Sequence, residues 1–199
     1  MSDAQKIEIS FALDLDAFLA ENGGLDISAD LRAALADACK RWQNSLQALH
    51  LRVKEDEEGG SAKQFGRTKS KDLLLVRLSD AAEQEAGGDW ENAPYRSFLY
   101  HSLAQALCMG LARTIIPEIA AHGCAPIPKP TPALAAILAA AGVPYLKPDG
   151  PVLSRSFALL TPYPFRGGCA ICFLNKDCKV CAALGQNRLS RPETTKGEG

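Results

Sequence analysis

The chain has 199 residues, of which 47% are hydrophobic and 23% are charged, a composition typical of a globular protein with a buried core. Its formal net charge of −1 provides no overall positive field that would attract nucleic acid or an anionic membrane surface. Four of the seven cysteines lie close together near the C-terminus, which favours a metal site over a disulfide framework.

No segment has the features of a membrane span or an export signal. The most apolar stretch, residues 95–121, contains several charged residues and Pro117, so it falls short of the roughly 20 apolar residues that a span needs. The opening sequence MSDAQKIEIS lacks a basic start, an apolar middle and a cleavage site. We therefore expect a cytoplasmic location and no association with membranes.

A strand and a helix are predicted at the start of the chain. Ile7, Ile9, Phe11 and Leu13 alternate with other residues, which places four apolar side chains on one face of a strand. Ser28 can cap a helix whose apolar residues recur every three or four positions. This helix is expected to end at about residue 48 or 49.

Two further strands are predicted in the middle of the chain. Residues 50–54 alternate between apolar and polar, and residues 72–78 form a more apolar run that suits a buried strand. The segment between them is acidic at first and basic at its end. We interpret it as a solvated loop in preference to a local anion site, because blocks of charge usually face water.

One long helix is predicted over about residues 94–121. Asn92 and Pro94 suit its start, and apolar residues recur along one face. Pro117 is expected to kink or end it, because proline lacks the backbone N–H of a helix interior.

After this helix, the chain is predicted to be extended, then helical, then extended again. Prolines at alternating positions from 126 to 132 favour an extended connector. Thr131 and Pro132 can start an alanine-rich helix, which Gly142 can end in a left-handed conformation. Residues 152–160 resemble a strand.

These elements predict an α+β fold with a small sheet packed against helices. We expect a globular domain over residues 1–160, a metal-binding segment over residues 161–186 and a disordered polar tail over residues 187–199.

The strongest functional signal is the segment RGGCAICFLNKDCKVCAALG, which has the form C-x2-C-x5-C-x2-C. Two cysteines spaced in this way can turn toward the same ion, and a short connection allows the second pair to fold back onto the first. The sequence therefore predicts one metal centre, with ligands from Cys169, Cys172, Cys178 and Cys181.

Both an iron–sulfur cluster and a zinc ion suit four thiolates, and we favour a [4Fe-4S] cluster. The gap between the pairs is short for two zinc-ribbon hairpins, no glycine follows either pair, and neighbouring apolar residues could shield a cluster from water. Against this, the common ferredoxin spacing is absent. Arg166, Lys176 and Lys179 would offset the negative charge of either centre.

The remaining candidate ligands are better explained by packing. Cys39 and Cys108 lie on predicted helices and are expected to be buried small side chains. His101 could supply an extra ligand, as could His122 and Cys124, which are two residues apart. A structural role is preferred for isolated histidines.

No motif for catalysis is present, so an enzyme is not favoured. The preferred function is an iron–sulfur protein in electron transfer, sensing or redox-enzyme assembly, with a protein partner. One alternative is a structural zinc module that mediates protein or nucleic-acid interaction, although a nucleic-acid partner is not expected. Another is a dithiol redox protein in which the cysteine pairs hold no metal.

Overall fold

The computed structural model describes residues 3–23, 26–55, 69–147, 150–165 and 171–174. The described strands form one antiparallel sheet in the order β1-β2-β3-β4, namely β1 (Asp3–Ile7), β2 (Gln47–Glu55), β3 (Lys69–Arg77) and β4 (Ala158–Pro162). The described helices are α1 (Leu15–Glu21), α2 (Ala29–Ser45), α3 (Asp80–Gly87), α4 (Pro94–Ile115), α5 (Glu118–His122) and α6 (Pro132–Ala140). The predicted α+β class with a small sheet is therefore confirmed.

The sheet is covered on both faces, which explains the apolar run in β3. Leu74 and Val76 point into a core shared with α1 to α5, whereas Leu73 and Leu75 point into a second core shared with α6. Because successive side chains of a strand point to opposite faces, a strand buried on both sides reads as a continuous apolar run.

The long helix α4 is the centre of the larger core. Its inward face is almost completely buried, and Tyr100 meets Trp42 of α2 edge to face, with ring centroids 5.5 Å apart. The start of α2 is capped as predicted, since the Leu31 amide donates to the Ser28 hydroxyl oxygen over 3.2 Å.

The extent predicted for the first strand was wrong. The strand ends at Ile7, and the alternating residues after it leave the sheet. The ring of Phe11 packs instead directly over Gly110 of α4, so closely that a Cβ atom at position 110 would collide with the ring. Helix α2 also ends earlier than predicted, at Ser45, because Leu46 is already extended.

The long helix and the last strand also differ from the predictions. Helix α4 ends at Ile115, not near residue 121, and the separate short helix α5 follows Pro117. The final strand is Ala158–Pro162, later than the predicted 152–160, and Leu153 makes only an isolated bridge to Tyr145. The extended connector and α6 match the predictions, with Gly142 at a φ of +73° after the helix.

Among the described helices, none is both long enough and apolar enough to cross a membrane. The predicted tail, residues 187–199, and most of the predicted charged loop lie outside the described residues.

Candidate metal centre

Cys172 is the predicted ligand that lies within the described chain. Cys169, Cys178 and Cys181 lie outside the described residues, as do the charge-compensating residues Arg166, Lys176 and Lys179. The convergence of the four sulfurs on one centre therefore stays a prediction.

Ile127 of the proline-rich connector makes two hydrogen bonds to the segment around Cys172. The amide of Ile127 donates to the Sγ atom of Cys172 over 3.4 Å. The carbonyl oxygen of Ile127 accepts from the amide of Phe173 over 2.8 Å. These two hydrogen bonds hold the Cys172 sulfur beside the connector.

The local sequence explains why Ile127 makes both contacts. Pro128 biases the residue before it toward extended backbone, in which the N–H and C=O of one residue face the same neighbour. Pro126 and Pro128 have no backbone N–H, so Ile127 carries the amide donor between them. A hydrogen bond from a backbone amide to sulfur is a recurrent feature of iron–sulfur sites and tunes the metal that the thiolate holds.

The other side chains weighed as extra ligands have different surroundings. The His122 ring stacks on the Phe165 ring, with centroids 4.9 Å apart and planes inclined by 24°. The His101 ring lies between Trp90 and Phe157, with centroids at 6.0 and 4.8 Å, and its Nε2 atom is 3.0 Å from the Gln105 amide nitrogen. Both histidines thus take part in packing.

Cys39 and Cys108 are buried, as predicted. The Sγ atom of Cys108 donates to the carbonyl oxygen of Phe157 over 3.4 Å. Burial, with a smaller contribution from the Glu83 carboxylate, raises the pKa of Cys108 to about 12. Its thiol therefore stays protonated near neutral pH and is a poor metal ligand.

Over the described ranges of the chain, no three His, Cys, Asp or Glu side chains form a group able to hold a metal ion. The predicted centre draws three of its four sulfurs from outside those ranges. Its only described ligand, Cys172, is half-buried.

A polar cluster that the sequence analysis missed lies on the sheet near the start of β3. The carboxylate of Asp72 accepts from Arg52 Nε over 3.0 Å and lies 2.9 Å from His50 Nε2. The hydrogen bond from Arg52, with help from His50, lowers the pKa of Asp72. The β2–β3 register places Arg52 directly opposite Asp72, and this register is visible only in the folded chain.

Tyr163, which directly follows β4, contacts this cluster and precedes the cysteine segment in the chain. The amide of Tyr163 donates to the carbonyl oxygen of Asp72 over 3.0 Å, and its ring meets the His50 ring edge to face at 5.6 Å. The end of the sheet thus fixes the chain a few residues before Cys169.

No protein-family model matches this chain, and the search of curated proteins found no match.

Proposed function

We propose that Cys169, Cys172, Cys178 and Cys181 hold one metal centre, and that this centre is an iron–sulfur cluster of the [4Fe-4S] type. The observation that carries the proposal is the hydrogen bond from the Ile127 amide to the Cys172 sulfur. Backbone N–H donors to the ligand sulfur recur in metal–thiolate sites, and the paired C-x2-C spacing places three more cysteines in the same segment of the sequence.

The charge of such a centre fits the sequence around it. Four thiolates with a [4Fe-4S]²⁺ core, or with Zn²⁺, leave a net charge of about −2. Arg166, Lys176 and Lys179 supply positive charge within the same segment. The segment also contains apolar residues that would shield a bound cluster from water, which a cluster needs more than zinc does, namely Ala170, Ile171, Phe173, Leu174 and Val180.

When bound, a cluster of this type supplies one-electron transfer chemistry. The role of Ile127 is to donate to the ligand sulfur and to hold the Cys172 segment against the connector. We infer that the protein works in electron transfer, sensing or redox-enzyme assembly together with a protein partner. A cytoplasmic location belongs to this proposal, because the cytosol keeps thiols reduced.

The second candidate is a structural zinc site that staples the cysteine segment to the globular part. The two hydrogen bonds of Ile127 favour it as well, since they attach that segment to the connector before α6. In this case the stapled segment presents a surface to a protein partner.

Anaerobic purification followed by a visible spectrum and metal analysis tests the proposal. A cluster gives broad absorbance near ~400 nm that bleaches with dithionite, with about four iron and four sulfide per chain. A colourless protein with about one zinc per chain supports the second candidate. Protein that holds neither metal contradicts both.

The Cys178→Ser variant should lose the metal or hold it far more weakly. Its matched control is Cys39→Ala, which removes a buried thiol from α2 and should keep the full metal content. If the two variants hold equal metal, Cys178 is not a ligand.

A further inference from the structure

A cavity of about 340 Å³ lies beside the cysteine segment, on the face of the sheet that α6 covers. Its lining includes Val53 and Leu73 on the sheet, Pro162 at the end of β4, Leu134 of α6, Pro128 of the connector and Ile171. The volume is at the lower end of the range for small-molecule sites.

Positively charged side chains are among the described residues that line the cavity. Lys71 and Lys129 both line it. Asp72 is the one acidic residue among the described lining residues, and its carboxylate is held by Arg52 and His50. An anionic group with an apolar body therefore matches Lys129 and the apolar walls of the cavity.

We propose that this cavity binds a small carboxylate with an unbranched apolar chain. Taking roughly 30 Å³ for each non-hydrogen atom, the share of a water molecule in the liquid, the cavity holds about 11 such atoms. Octanoate is close to this size. Its chain would lie against Leu73, Leu134 and Ile171, and its carboxylate would pair with Lys129.

The ligand would contact the cysteine segment directly, because Ile171 precedes Cys172 and forms part of the wall. The proposal does not depend on which metal the cysteines hold. The metal content of every sample is measured alongside ligand binding. Loss of ligand binding then contradicts the cavity proposal, and absence of metal contradicts the metal proposal.

Calorimetric titration of the full chain with octanoate and with octan-1-ol tests the inference. Octanoate is expected to bind one molecule per chain with a Kd below about 1 mM, and octan-1-ol about fivefold more weakly, the effect of one exposed charge pair. No binding of octanoate up to about 10 mM, or equal binding of the two compounds, would overturn the proposal.

A charge reversal locates the carboxylate. Lys129→Glu should weaken octanoate binding by about fivefold or more and leave octan-1-ol unchanged. The matched control Lys40→Glu makes the same change of charge on α2, away from the cavity, and should have no effect. If both variants weaken octanoate equally, the carboxylate does not lie at Lys129.

Changes in amide chemical shifts locate the hydrocarbon chain of octanoate in the wild-type protein. Octanoate should shift the signals of Val53 and Leu73 and leave those of α2 unchanged. Shifts confined to residues outside the cavity would contradict the proposed position.

Discussion

The backbone nitrogen of Ile127 lies 3.4 Å from the sulfur of Cys172, although the two residues are 45 positions apart. This contact joins the proline-rich connector to the segment that is predicted to bind metal. It can be removed by one substitution, because proline at position 127 has no N–H to donate.

We expect Ile127→Pro to lower the affinity for metal by about 10- to 100-fold, the range found when a group that hydrogen-bonds a metal ligand is lost. The control Ile127→Ala loses most of the side chain but keeps the amide. Competition with a chelator measures both affinities. Equal affinities for the two variants would show that the amide has no influence on the centre.

The guanidinium of Arg155 forms ion pairs with Glu83 and Asp80 of α3 and donates to the carbonyl oxygen of Leu78 over 3.1 Å. The side chains of Arg155 and Glu83 are only 11% and 19% exposed. Arg155→Ala should lower the free energy of unfolding by about 2 kcal/mol, because it leaves the mostly buried Glu83 carboxylate without its cation.

Urea unfolding measures this effect. The control Arg41→Ala breaks ion pairs to Asp37 and Glu85 in which Arg41 is 52% exposed. It should cost less than about 1 kcal/mol, since solvent screens such pairs. If the two variants lose equal stability, the ion pairs of Arg155 stabilise the fold no more than the exposed ion pairs of Arg41.

The pKa of Asp72 is lowered in the folded protein, chiefly by the hydrogen bond from Arg52. The native state therefore takes up this proton less readily than the unfolded chain, whose aspartate pKa is about 3.9. The resulting stability is fully present above that value and is lost as pH falls through the lower folded pKa.

The Asp72→Asn variant should be less stable than the wild type by about 1 kcal/mol at pH 6. This difference should shrink as the pH falls below about 4. Denaturant titrations at pH 6, 4 and 3 measure it. A difference that is independent of pH would show that the charge of Asp72 is not what stabilises the fold.

The buried thiols should resist alkylation. Burial raises the pKa of Cys39, and that of Cys108 is raised to about 12, so little thiolate is present at pH 8. Iodoacetamide should label neither residue in the native protein, and both after unfolding in urea. Peptide mass spectrometry identifies the labelled positions. Rapid native labelling of Cys108 would contradict its burial under Phe157.

The elements with strong periodicity or clear caps were predictable. The apolar run of β3 and the caps at Ser28 and Thr131 led to the right elements, because burial and capping leave local signals. Helices α1 and α3 were missed, since they have only 7 and 8 residues. Asp14 and Ser79 do cap them, but the alternation before Asp14 had favoured a strand.

For the candidate site, the sequence supplies only a prediction of the ligands. Cysteine spacing identifies the four candidate sulfurs without any structure. The Ile127 contact and the Asp72 cluster depend on residues brought together from distant parts of the chain, as with Cys172 and the connector. Such partners leave no periodic pattern, so they emerge only from the folded chain.

Strand β4 completes the sheet from a point beyond α3, α4, α5 and α6. During synthesis, β3 therefore keeps one bare edge until residue 162 has left the ribosome, and a bare edge readily pairs with other chains. The helices between these strands can form before β4 is synthesised and can cover part of the growing chain. A stall in translation before β4 has emerged should thus favour aggregation of the unfinished chain.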